Sequence, residues 1–114
     1  MPSMPQPDLL TLHVDRFNGA IRSGDFGPML AGFASDAEMV FEGVPVGPYL
    51  GRDAIAAAYA ARPPDDEIRL VTLPRLEGET LVADYAWAAD GKRAGRMLLT
   101  PSGSLIQRLV VTFE

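Results

Sequence analysis

The sequence predicts an α+β domain in which helices from its first half pack on one face of a curved sheet formed mostly by its second half. Through residues 8–62, apolar side chains recur at the spacing of one helix face, interrupted by one short apolar strand. From residue 67 onward, apolar and polar side chains alternate with the period of a strand, and turn-forming pairs divide the segment. Helices followed by an antiparallel meander are typical of the α+β class.

Three helices are predicted. The first begins after Asp8, a suitable N-cap, and ends at Gly24, a suitable stop. A short second helix is predicted within residues 25–33, where glycine and proline weaken the pattern. The third, residues 52–62, consists of strong helix formers and ends before two prolines, which disfavour its continuation. The apolar face of the first helix comprises Leu10, His13, Val14, Phe17, Ala20 and Ile21.

Five strands are predicted. The first, residues 38–42, is short, apolar and flanked by turn formers. The other four are residues 67–77, 80–89, 92–100 and 104–114, separated by Glu77-Gly78-Glu79, Asp90-Gly91 and Ser102-Gly103.

Ideal two-residue turns in the last two hairpins set the register of the final three strands. They place Asp84 opposite Met97, and Met97 opposite Arg108. Neither resulting sheet face is plainly polar, so we expect both to be covered. Helices and a pocket on one side and a second copy of the chain on the other would do this, which predicts a homodimer through the outer sheet face.

Composition bounds the other properties. The 114 residues, 47% hydrophobic, are enough for one core, and we expect a disordered tail at residues 1–7 and a single domain at residues 8–114. A net charge of -5 disfavours a nucleic-acid partner. The absence of cysteine excludes disulfides and suits a reducing compartment. Without a long apolar run or a signal-peptide pattern, we expect a cytoplasmic protein with no membrane partner.

The order of elements resembles the nuclear transport factor 2-like superfamily, which includes ketosteroid isomerases and SnoaL-like polyketide cyclases. The resemblance lies in "SGD" between the first two helices, in "FASDAEMVFEG", and in the Gly-Arg-Asp start of the third helix. It covers residues 8–114 and implies a cone-shaped domain. In that fold a mostly antiparallel sheet curves around a deep apolar pocket, three helices pack on its concave face, and dimers are common.

The resemblance makes Glu42 the first candidate for a general base, since ketosteroid isomerases carry their proton-shuttling carboxylate at the end of this strand. An apolar pocket would raise its pKa and strengthen it as a base. The alternative is that Glu42 ends a strand and meets solvent. The other isomerase residues do not carry over, because Phe17 stands where the oxyanion-binding tyrosine would be and Gly95 near the assisting aspartate.

Asp84 and Arg108 form a second candidate pair, because the predicted registers place them on one sheet face, two strands apart. As a catalytic pair they would fix a substrate carboxylate or enolate, with the permanent charge of Arg108 as the electrophile, or hold Asp84 as an acid. The alternatives are a structural ion pair or two separately solvated groups. The sequence leaves undecided which face of the sheet lines the pocket. The isomerase pattern puts Tyr85 and Trp87 inside when it is matched at the turn, but Gly95, Met97 and Arg108 inside when it is matched at the last strand. A β-bulge would reconcile the two.

The remaining candidates are pocket-lining side chains, with ordinary core packing as the alternative. His13, the sole histidine, is interpreted as a helix-packing residue, and nothing resembles a phosphate-binding motif, so a cofactor-free site is expected. The candidate substrate-binding residues are Phe17, Phe33, Tyr49, Tyr59, Tyr85, Trp87 and Met97.

Three functions follow from these observations. The first is a cofactor-free proton-transfer enzyme of isomerase, cyclase or dehydratase type, acting on a small apolar oxygenated molecule such as a polyketide or steroid-like compound. The second is a non-catalytic ligand-binding or dimerisation module. The third, an epoxide hydrolase of the same superfamily, would need converging carboxylates and an arginine around a water, a set that Asp84 and Arg108 do not complete.

Overall fold

Three helices lie on one side of a single curved, open sheet. The computed structural model describes residues 8–114, so the predicted tail at residues 1–7 lies outside the described residues. The helices are α1 (Leu9–Ser23), α2 (Gly27–Leu30) and α3 (Arg52–Ala61). The strands are β1 (Phe33–Glu42), β2 (Tyr49–Leu50), β3 (Ile68–Leu70), β4 (Arg75–Glu77), β5 (Thr80–Trp87), β6 (Arg93–Ser102) and β7 (Leu105–Thr112). The predicted α+β class is confirmed.

The order of strands across the sheet is β2-β1-β7-β6-β5-β3, and β4 pairs with β5 along the same edge as β3. All strand pairs are antiparallel except β1 and β7, which run parallel inside the sheet, next to the short edge strand β2. Within the described residues, no helix is both long and apolar enough to cross a membrane.

Helix α1 is defined at both ends as the sequence predicts. The Asp8 side chain accepts a hydrogen bond from the Thr11 backbone N–H at 2.7 Å and so caps an otherwise unpaired donor. Gly24 takes the left-handed conformation, φ 78°, and donates its N–H to the Ala20 carbonyl. The predicted apolar face packs against the sheet, where Leu10, His13, Val14, Phe17 and Ala20 are buried.

Strand β1 is longer than predicted. It begins at Phe33 rather than at residue 38, and its pairing with β7 shifts between Phe33 and Glu38. This irregularity interrupts the alternation of buried and exposed side chains, so the first half of the strand lacks a period-two signal. Strand β2 is too short to produce such a signal and was missed.

The predicted strand at residues 67–77 is two strands, β3 and β4. Both pair with β5, and the segment at residues 71–74 leaves the sheet between them. Pro74, which has no N–H to donate, stands immediately before β4. Within the gap, the Thr72 hydroxyl accepts from the Asp84 backbone N–H at 2.9 Å, so a side chain supplies this ladder bond.

Both predicted hairpin registers were wrong. Asp84 pairs with Arg96 rather than Met97, and the β5–β6 register shifts again between Tyr85 and Ala86. Met97 pairs with Val111 rather than Arg108. In the second hairpin, Ser102 pairs with Leu105, so the turn residues are 103 and 104, and the register shifts between Thr100 and Pro101. Because each error is an odd number of residues, each reverses which side chains share a face.

Candidate functional site

Two adjoining cavities lie between the helices and the sheet. An inner chamber of about 160 Å³ is enclosed by α1, α3 and strands β1, β3, β5, β6 and β7. A vestibule of about 660 Å³ lies between α3 and the segment from Phe41 to Tyr49. Phe41, Tyr59 and Arg62 line both cavities, so they form the boundary between them. The site is therefore a small chamber behind a wider entrance.

Most predicted pocket residues line this site. Phe33 does not; it is fully buried beside the imidazole of His13, with an edge-to-face distance of 5.6 Å between ring centroids. The predicted residues that line the inner chamber are Phe17, Tyr59, Tyr85, Trp87 and Met97, and those that line the vestibule are Tyr49 and Tyr59.

The observed register resolves which sheet face lines the chamber. Tyr85 and Trp87 on β5 lie on the same face as Met97 on β6, although ideal hairpins put them on opposite faces. Register irregularities reconcile the two sets, as the bulge hypothesis required. Arg108 is excluded from this reconciliation, since it pairs with Thr100 and points away from the chamber.

Tyr85 is the most constrained polar residue of the wall. It is 1% exposed, and its hydroxyl donates to the Thr112 carbonyl oxygen at 2.9 Å. Burial, followed by the negative charge of Glu114, raises the pKa of Tyr85 to about 12. Its proton is therefore already engaged with the protein backbone, which suits a structural residue of the chamber wall.

Tyr59 and Arg62 place polar atoms at the boundary with the vestibule. The Tyr59 ring stacks on Phe26 with centroids 5.2 Å apart, and its apolar surroundings raise the pKa of its hydroxyl. Arg62, the residue that follows α3, is largely exposed and adds a positive charge to this boundary. A ligand entering the chamber would pass both side chains.

His13 brings an imidazole to the chamber wall from α1. The residue is 1% exposed, and its Nδ1 has no hydrogen-bond partner among the described residues. Burial and, to a smaller extent, the charge of Arg16 lower the pKa of His13 to about 4, so the ring is neutral at pH 7. The sequence had indicated a packing residue on the helix face. It is buried, but it also lines the cavity.

Glu42 lies outside both cavities. Its neighbour Phe41 faces inward, so the alternation of β1 turns the Glu42 side chain to the outer face, where it is exposed. Glu42 therefore has the position of the alternative interpretation, a residue that ends a strand and meets solvent. The inward alternation of Met39 and Phe41 was the sequence signal for this outcome.

Asp84 and Arg108 do not meet each other and do not line either cavity. On the outer face, Asp84 forms ion pairs with Arg93 at 3.1 Å and Arg96 at 3.4 Å. Hydrogen bonding from Arg93 lowers the pKa of Asp84. Arg108 pairs with Glu38 at 2.9 Å. Both side chains are on one sheet face, two strands apart, as predicted, but Asp84 lies opposite Arg96 and Arg108 opposite Thr100, so the predicted alignment of both on Met97 was wrong.

Gly95 lies where two backbones approach closely. A Cβ built at this position would stand 1.9 Å from the carbonyl oxygen of Thr112. No residue other than glycine fits without moving the backbone, so a carboxylate at this position is incompatible with this chain.

The site has no evident metal-binding group. Among the described residues, no three histidine or carboxylate side chains converge in an arrangement suited to a cation. Polar atoms in the chamber wall come instead from single, separated side chains. These include His13, Tyr59 and Arg62.

Sequence comparisons and structural comparisons differ in outcome. No protein-family model matches the sequence, and no curated protein matches it. Solved structures do match. A Δ5-3-ketosteroid isomerase from a Mycobacterium species is 17% identical, with a TM-score of 0.69 over 95% of each chain. A member of the SnoaL-like family from Agrobacterium tumefaciens is 18% identical, with a TM-score of 0.68 over 93% of this chain and 97% of the other.

A nuclear transport factor 2-like protein from Burkholderia xenovorans is 16% identical, with a TM-score of 0.68 over 93% of this chain and 83% of the other. The TM-scores establish that these proteins share the arrangement of the backbone. At identities this low the activity of this chain does not follow, because one fold carries many functions. The resemblance noted in the sequence is confirmed at that level. This chain has the nuclear transport factor 2-like fold.

Proposed function

We propose that the protein binds a small, mostly apolar molecule in the inner chamber. The observation that carries this proposal is the chamber wall, which is aromatic and aliphatic over most of its area and encloses about 160 Å³. Apolar walls around unfilled space lack contact partners on one side, and an apolar ligand supplies them. A molecule as large as a polyketide or steroid would extend through the boundary at Tyr59 into the vestibule.

Binding is tested with α-methylstyrene, an aromatic hydrocarbon small enough for the chamber, using the fluorescence of Trp87, the sole tryptophan. Val111→Phe narrows the chamber from β7, whereas Val40→Phe makes the same exchange on the outer face of β1. We expect wild type and Val40→Phe to bind similarly, and Val111→Phe to bind at least about tenfold more weakly because the added ring occupies the chamber. Equal binding by Val111→Phe, with its fold intact by circular dichroism, would place the ligand elsewhere.

A proton-transfer enzyme of isomerase, cyclase or dehydratase type is the second candidate. Its support is the likeness of the fold to a ketosteroid isomerase and a SnoaL-like protein. In this chain the ionisable residues at the chamber are His13, Tyr59, Arg62 and Tyr85, and none of them is a carboxylate. If turnover of an enolisable ketone is found, we expect Glu42→Gln to retain it, and loss of turnover in that variant would restore Glu42 as the base.

We also propose that the chain forms a homodimer through the outer sheet face. Val40 and Leu98 are half-buried apolar residues on that face of the single chain, beside the Glu38–Arg108 ion pair. Sedimentation velocity tests this directly. We expect a dimer for wild type and a monomer for Leu98→Asp, and a wild-type monomer at high concentration would refute it.

A further inference from the structure

His13 is the polar residue of the chamber wall with a fully buried side-chain nitrogen that makes no hydrogen bond within the described residues. The Tyr85 hydroxyl is bonded to the Thr112 carbonyl, whereas His13 Nδ1 is buried without a partner among the described residues. Buried polar groups are almost always paired in folded proteins, because an unpaired one loses its hydration without compensation. The other ring nitrogen, Nε2, is not among the fully enclosed unpaired atoms and makes no hydrogen bond with the described residues, so it is the nitrogen that a ligand in the chamber can reach.

The burial of Nδ1 determines what the ring can offer. A neutral imidazole has one N–H and one bare nitrogen, and an unpaired buried N–H is rarer in proteins than an unpaired acceptor. We therefore assign the bare nitrogen to Nδ1 and the proton to Nε2. Since Nδ1 is enclosed while the residue lines the chamber, the opposite edge of the ring is the one presented to a ligand.

We propose that His13 is the specificity-determining residue of the chamber, donating its Nε2–H to a neutral acceptor oxygen, such as a ketone or ether, of an otherwise apolar ligand. This inference rests on the proposed binding function and adds the chemical class of the ligand. The oxygen would lie at the α1 end of the chamber, and the apolar body of the ligand would lie against Trp87 and Met97.

The wall also explains why the oxygen should be neutral. His13 is buried, and this burial lowers the pKa of the ring and keeps it uncharged at pH 7. An anionic oxygen entering the inner end would lose its hydration and meet a neutral ring, because the nearby cation, Arg16, does not line the chamber. The positive charge of Arg62 stands at the vestibule boundary instead, where an anion would remain partly solvated.

The test uses two probes of nearly equal shape, acetophenone and α-methylstyrene, in which a carbonyl oxygen is replaced by a methylene group. Each is titrated into wild type, His13→Phe and His13→Gln. Phenylalanine keeps a ring beside Phe33 without a donor, and glutamine restores a donor. We expect His13→Phe to weaken acetophenone binding about tenfold more than α-methylstyrene binding, and His13→Gln to recover part of the difference.

The comparison of probes separates a lost hydrogen bond from a changed shape, since a larger ring in the chamber would weaken both probes equally. If the acetophenone-to-styrene ratio is the same in wild type and His13→Phe, the inference fails while the binding proposal stands. If neither probe binds wild type, the binding proposal fails and this inference fails with it.

A second measurement needs no variant. Because His13 is the sole histidine, histidine labelled with ¹⁵N gives one pair of ring signals. We expect the free protein to show a protonated Nε2 and a bare Nδ1, and acetophenone to shift the Nε2 signal more than α-methylstyrene does. The opposite tautomer, or equal shifts from both probes, would overturn the assignment.

Discussion

Lowering the pH from about 7.5 to 5 should destabilise this protein through His13. In the unfolded chain the imidazole takes up a proton near its ordinary pKa of 6.5, whereas in the folded chain burial and Arg16 lower that pKa to about 4. Between these values the unfolded state binds more protons than the folded state. Stability therefore falls as the pH falls through this window, is unaffected by this residue above it, and changes no further below it.

The size of the effect follows from the difference between the two pKa values. Each unit is worth about 1.4 kcal/mol, so the full loss is about 3 kcal/mol by pH 4. About 2 kcal/mol of it is expected between roughly pH 7.5 and pH 5. Asp84 and Glu114, whose pKa values are lowered first of all by hydrogen bonds from Arg93, stay ionised through that range. The upper part of the window thus isolates the histidine.

The assay is urea unfolding of wild type and His13→Phe at a series of pH values from about 7.5 to 5. Wild type should lose about 2 kcal/mol of unfolding free energy, while the variant, which has no histidine, should give a nearly flat line whatever its absolute stability. Parallel lines for the two proteins would mean that the imidazole titrates equally in both states. In that case His13 would not be a buried, neutral residue in the folded protein.

Three further predictions concern the backbone. Gly95→Ala should destabilise the protein by about 3 kcal/mol or more, since its Cβ would meet the Thr112 carbonyl oxygen. Gly19→Ala, in α1 with open space around it, should instead stabilise by up to about 1 kcal/mol, and chemical denaturation of both variants checks the contrast. Asn18→Ala should cost about 2 kcal/mol, because the Asn18 amide both accepts from the Ile68 N–H at 2.9 Å and donates to its carbonyl at 2.7 Å. A loss below about 0.5 kcal/mol in that unfolding measurement would mean that water replaces both bonds.

Local signals predicted the helices well. The Asp8 cap, the Gly24 stop and the two prolines after α3 act within a few residues of the feature they define, so the sequence contains the whole cause. The strand registers could not be predicted in this way. Small local irregularities, between Tyr85 and Ala86 and between Thr100 and Pro101, displace the pairing of whole strands. A pattern of period two does not reveal where one residue is inserted.

The site was predicted only where it depended on residue type rather than register. Tyr59, Trp87 and Met97 line the chamber, as large apolar or aromatic side chains on these elements were expected to. Glu42 was assigned from its place at a strand end, which says nothing about which face it occupies. Recognising His13 as part of the wall required knowing that a cavity opens beside α1, and only the assembled chain contains that information.

The parallel pairing of β1 with β7 has a consequence for how the chain folds. Glu38 and Arg108, 70 residues apart in sequence, are neighbours on two interior strands of the sheet, and β7 separates β1 from β6. A nascent chain that has left the ribosome only as far as β6 would expose both of these strand edges. We expect the domain to form its core late in synthesis and to fold slowly for its size. The entropy cost of closing so long a loop comes before the stabilising contacts between β1 and β7 can form.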